Sequence, residues 1–159
     1  MNGGRVGAAL ARPVSIRGIQ VGEPIDAFLD ADLRCVLGLE VRCRDGIHRF
    51  LPWSVGEAGP DGLSISLSLA LLDRPQLEYY REHALPLSRL RRLRLERQDG
   101  VLPVEDIVTG ADGLVVALVV REGVSEIEIA RDKLALERER LLFVNGRPGA
   151  RVADGIAQS

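Results

Sequence analysis

The sequence predicts a mainly β protein: two small antiparallel β-barrels joined by a short helical segment. Three observations carry this expectation. Residues 21–57 and 101–136 read as two worn copies of one pattern, each with an apolar strand, an Asp-containing turn, a second apolar strand, a tight charged turn and a shorter strand. Two copies at this length indicate a duplicated small domain, since solenoids need three or more units. Asp45-Gly46, Asp61-Gly62, Asp99-Gly100 and Asp112-Gly113 punctuate the apolar runs, and such pairs supply the positive φ of tight turns. A single stretch between the copies has helical rather than strand character.

In chain order, strands are expected over residues 14–17, 25–29, 35–41, 47–51 and 63–69, each short and rich in alternating or β-branched residues. In the last of these, Leu63, Ile65, Leu67 and Leu69 alternate with Ser64, Ser66 and Ser68, the pattern of a strand with one buried face. Residues 73–83 follow as a short helix, with Asp73 at its cap and Pro75 in its first turn. Strands resume over 93–97, 101–109 and 114–120, then as a shorter strand starting at Ile127, and over 140–144. These elements divide the chain into a first unit at 11–72, a helical linker at 73–87, a second unit at 88–147 and a flexible tail at 148–159. The first ten residues are expected to be frayed. Phe28, Val36, Leu39, Val41, Leu51, Ile107, Val116, Leu118, Val120 and Ile129 are the in-phase apolar positions of both copies and form the expected core.

Composition narrows the function classes. With 46% hydrophobic and 28% charged residues the chain is globular. Its net charge of −2 gives no general electrostatic pull toward nucleic acid or anionic membrane. No apolar run approaches the roughly 20 residues of a membrane span, and the start of the chain is too weakly apolar for a signal peptide. A cytoplasmic protein is expected. Cys35 and Cys43 are the only cysteines, and His48 and His83 the only histidines. Cys43 and His48 are close enough in sequence to share a hairpin, which leaves a small-ligand or metal site open. The paired spacing of a structural zinc site is absent, however, and neither cofactor nor metal is expected. Asp26, Asp30 and Asp32, echoed by Glu105, Asp106 and Asp112, could do acid–base work, but Asp beside turns is also what hairpin geometry selects. No nucleophile or phosphate-binding motif accompanies them, so no catalytic residue is assigned and the chain is read as a non-enzyme.

Two features are candidate binding surfaces. Arg89, Arg91, Arg92, Arg94 and Arg97 crowd one stretch of a chain that has a single lysine, Lys133. Such a stripe can grip phosphates or an acidic protein, or it can be a solvated face. Trp53, one of six aromatics, can anchor a partner or plug a barrel end. The plug is the favoured reading.

Pro24 to Asp30, Val36 to Val41 and Arg49 to Val55, the last with its Leu-Pro-Trp step, resemble the PRC-barrel. This small β-barrel occurs in the cytoplasmic H subunit of photosynthetic reaction centres and in the C-terminal domain of the ribosome maturation factor. The second half is similar but has Glu128-Ile129-Ala130-Arg131 in place of that step, and residues 31–34 lack the usual turn glycine. The resemblance implies fold more than function. It points to a non-catalytic adaptor that binds a partner protein or its own copy as a homodimer, with residues 63–69 as an open strand edge. The alternative it implies is a ribosome- or RNA-associated factor.

Overall fold

The computed structural model describes residues 3–66 and 68–144. The expected tail at 148–159, the last residues of the second unit, and Leu67 of the expected 63–69 strand lie outside the described residues. The chain opens with β1 (Gly4–Arg5) and α1 (Val6–Leu10), then forms β2 (Val14–Ile16), β3 (Ile19–Leu29), β4 (Val36–Cys43), β5 (His48–Pro52), β6 (Glu57–Gly59) and β7 (Gly62–Ile65). A 3-10 turn at Ser68–Ala70 leads to α2 (Arg74–His83), β8 (Leu85–Pro86) and α3 (Leu87–Leu90). Then come β9 (Arg94–Arg97), β10 (Gly100–Thr109), β11 (Val115–Glu122), β12 (Ser125–Ala130), β13 (Leu134–Glu137) and β14 (Arg140–Phe143). The protein is mainly β, with two curled sheets, one of them a half-barrel.

The two sheets follow one plan. The first runs β5-β4-β3-β2-β7-β6 and the second β12-β11-β10-β9-β14-β13. Neighbouring strands are antiparallel except for β2 with β7 and β9 with β14, which are parallel. The expectation of purely antiparallel pairing is corrected here: the chain returns from the outer hairpin to lie alongside the strand that opened the sheet. Even the irregularities coincide. Ile25 and Leu37 are extra residues between ladder pairs in the first sheet, and Glu105 and Val116 in the second. Such bulges bend a strand and shift its side-chain phase by one.

That shift explains a misplaced core residue. Val116 is 48% exposed, and its neighbour Val115 is buried instead. Ile129 is only partly buried because its strand is outermost. Phe28, Val36, Leu39, Val41, Leu51, Ile107, Leu118 and Val120 are buried.

The expected 63–69 strand stops at Ile65, and Leu69 stands 82% exposed beyond it. Nor is it an edge, since β7 is paired on one side with β2 and on the other with β6.

Residues 4–10 are likewise better anchored than expected. Gly4 and Arg5 pair with Thr109 and Val108 of the second sheet, and Val6 is fully buried. Reciprocally, Leu85 and Pro86 pair with Leu29 and Phe28 of the first sheet. Each sheet thus receives a short strand and helix from the opposite half of the chain. The exchange is fastened by two aspartates set immediately after the bulges. Asp106 accepts the Gly7 N–H of α1 at 2.9 Å, and Asp26 accepts the Ser88 N–H of α3 at 3.1 Å together with the Ser88 hydroxyl. These carboxylates satisfy backbone donors at helix starts, which accounts for their presence within strands.

The halves also meet at equivalent turns. Val36 N–H donates to the Gly113 carbonyl at 2.9 Å, and Val115 N–H to the Arg34 carbonyl at 2.8 Å. Leu33 and Gly113 occupy the same position in the two turns, at φ of +57° and +83°. Gly113 is suited to the left-handed region. Leu33 adopts it with its side chain buried, so packing offsets the backbone cost. One continuous core joins the sheets, running from Leu39, Val41 and Leu51 through Trp53 and Leu33 to Ile107, Leu118 and Val120.

Candidate functional site

A groove of about 770 Å³ opens at one end of the first sheet. Its walls follow from the local fold. The β2–β3 hairpin supplies Ile16, Ile19 and Val21; the β4–β5 turn supplies Cys43, Arg44 and Asp45; the segment leading into α2 supplies Leu69, Leu71, Leu72 and Gln76. Ile19 and Leu69 are 69% and 82% exposed, so two of the apolar side chains that line the groove stand largely in solvent. The rim is charged. Arg49 bridges Asp45 at 2.9 Å and lies 3.7 Å from Asp73, while Arg44 is exposed and has no ion pair among the described residues. Asp73 occupies the cap position of α2, but its carboxylate accepts no backbone N–H of the helix; it lies near Arg49 instead.

Beside the groove, α2 is clamped to the sheet by contacts of two kinds. Leu77 and Tyr80 pack against Phe28 and Phe50, with the Tyr80 and Phe50 rings stacked at 4.0 Å. Glu40, almost wholly buried, accepts two hydrogen bonds from Arg81 at 3.1 and 2.8 Å and lies 2.7 Å from His48 Nδ1. Burial pushes the Glu40 carboxyl up, but the hydrogen bonds from Arg81 and then His48 outweigh it and hold the group below its ordinary value. A carboxyl with a depressed folded-state pKa contributes stability above its unfolded pKa of about 4.3, and that contribution is lost as pH falls through the folded value. The melting temperature of the wild type is therefore expected to drop more steeply below about pH 4 than that of Glu40→Gln, as scanning calorimetry across pH would measure. Parallel profiles would remove Glu40 from the account. This network is the part of the region that sequence reasoning missed. Its signal was a carboxylate within the nearly continuous apolar run of β4, which must find a partner when buried.

The sequence-derived candidates are dispersed. Arg89 pairs with Glu139, Arg91 donates to the Glu105 carbonyl at 2.8 Å, and Arg97 is held by Asp99 and Glu122, each at 3.2 Å. Only Arg92 and Arg94 of the five are exposed without an ion pair to any described residue. Trp53 is 6% exposed, with its backbone N–H on the Leu37 carbonyl. A Cβ on Gly113 would stand 2.7 Å from the Trp53 ring, so the missing side chain is the space the indole fills. His48 is engaged with Glu40, and Cys43 lines the groove. Among the described residues, no three His, Cys, Asp or Glu side chains are grouped so as to hold a metal ion. Asp30 and Asp112 receive the backbone N–H groups of their own turns, and Asp26 and Asp106 those of the exchanged helices. Glu105 is paired with Arg121 at 2.7 Å, so five of the six carboxylates considered for acid–base work have structural partners. No helix among the described residues is long and apolar enough to cross a membrane. Compared with protein-family models and with curated proteins, the chain matches none.

Proposed function

We propose that the protein is a non-catalytic, cytoplasmic binding module built from two PRC-barrel-like units, and that its groove receives an apolar stretch of a partner protein. The exposed pair Ile19 and Leu69 carries this reading. Exposed apolar side chains lining a groove with a charged rim are a usual mark of an interaction site. The common strand order and common bulges of the two sheets support descent from one duplicated unit. The ribosome- or RNA-associated reading rests on Arg92 and Arg94, the two arginines of the stripe left exposed without carboxylate partners.

A pull-down from native extract with wild type and with the double variant Ile19→Asp, Leu69→Asp tests the proposal. One stoichiometric protein is expected with the wild type and none with the variant, while both proteins melt alike. RNA in both eluates, released by raised salt and lost with Arg92→Ser, Arg94→Ser, would favour the second reading. Light scattering identifies the partner as a second copy if the wild type is a dimer and the groove variant a monomer.

A further inference from the structure

The two sheets share a plan but differ at one edge. In the first, the outermost strand β5 is covered. Phe50 N–H donates to the Leu72 carbonyl at 3.0 Å, Leu72 N–H donates back at 2.7 Å, and α2 lies over the strand. In the second, the strand in that place is β12, where Glu128 stands opposite Val119 as Phe50 stands opposite Glu40. Residues of an antiparallel edge strand alternate between bonding their neighbour and facing away from it. The backbone N–H and C=O of Glu128, and of Glu126 and Ala130 two residues on either side, therefore face outward. Among the described residues, no backbone group pairs with them.

The side chains specify what would fit. Ile127 and Ile129 lie on one face and pack against the core, while Glu126 and Glu128 lie on the other. Glu126 is shared by Arg5 at 2.7 Å and Arg121 at 3.6 Å. Glu128 is exposed and has no ion pair with any described residue. A second copy of β12, added antiparallel about a two-fold at Glu126, Ile127 or Glu128, would set glutamate opposite glutamate, which is destabilising. A strand with basic residues at alternate positions meets those carboxylates, and apolar residues between them extend the isoleucine face.

We propose that β12 is a strand-addition edge for an extended segment of a partner protein in which basic and apolar residues alternate. Main-chain bonds to the outward groups of β12 supply affinity, and the glutamates supply selection. The site is separate from the groove.

The probe is a short labelled peptide alternating arginine and valine, followed by fluorescence anisotropy. Binding in the micromolar range is expected, with a block peptide of the same composition at least about tenfold weaker because it cannot match the alternation. Glu128→Lys should weaken binding about tenfold or more, since it replaces attraction by repulsion. Glu128→Pro should abolish it at an unchanged melting temperature, because the proline removes an outward N–H and no ladder bond. The groove variant Ile19→Asp, Leu69→Asp should bind the peptide normally, so failure of the groove reading and failure of this one are distinguishable. Absence of binding to the wild type, equal binding of the two peptides, or normal binding by Glu128→Pro would overturn the proposal. So would a dimer of the unliganded protein that Glu128→Pro dissolves, which would give the edge to a second copy.

Discussion

Trp53→Ala is expected to lower the free energy of unfolding by about 3–5 kcal/mol, the range for deleting a large buried aromatic. The indole lies between the halves, belongs to the continuous core, and rests against the backbone of Gly113. Gly113 has no side chain with which to refill the space, and its carbonyl is fixed by the Val36 N–H at 2.9 Å, so the cavity cannot easily collapse. Cost rises with the residual cavity. Urea denaturation followed by far-ultraviolet circular dichroism measures the loss, and a single transition should persist because both sheets share the damaged core. A variant of near wild-type stability that no longer captures the partner would make Trp53 a binding anchor instead.

The second large effect is expected at the aspartates that fasten the exchanged helices. Asp106→Ala should cost about 2–3 kcal/mol: its carboxylate is almost wholly buried and accepts the N–H groups of Gly7 at 2.9 Å and Ile107 at 2.8 Å. Hydrogen bonds to charged groups contribute about 1.5–3 kcal/mol, and the abandoned Ile107 donor is buried while that of Gly7 is partly so. Asp26→Ala should cost less, about 1–2 kcal/mol, because its bonds to Ser88 lie at the surface. Native-state hydrogen exchange separates a local from a global role. In the Asp106 variant, protection should fall in α1 and in β10 together. Faster exchange confined to residues 4–10, with an unchanged melting curve, would show that this segment merely rests on the second sheet.

Much of the secondary structure was legible because alternation and Asp-Gly turns are local signals. The strand that contains Phe28 and the one that contains Val41 announce themselves, as does the helix that begins beside Pro75. What the sequence concealed was non-local. The pairings of Gly4–Arg5 and Leu85–Pro86 involve two residues each, too few to show a period. The bulge at Val116 adds one residue and reverses the phase that counting assumes. Leu33 carries no mark of its left-handed backbone, since only tertiary packing holds it there. The stripe of arginines looked like one surface because linear spacing does not reveal the carboxylates that other strands bring alongside. The groove was invisible for a related reason. Ile19, Arg44 and Leu69 lie far apart in sequence, at a strand start, in a turn and in the segment before α2, and none of them alone signals a groove.

The exchange of short elements between halves has a consequence for how the protein is made. Gly7 waits for Asp106, 99 positions later, and at about 5–20 residues per second that interval is on the order of 5–20 s of synthesis. For most of it, until residues 85–90 are made, the first sheet also lacks the strand and helix that begin at Leu85. The first sheet therefore stays unfinished until the chain reaches α3, and residues 4–10 wait longer still for the second sheet that they complete. A stall or a cleavage between the halves would therefore not release a folded small domain. A stall would leave the first fragment alone, and a cleavage would leave two complementary fragments, each exposing the patch that the other was built to cover.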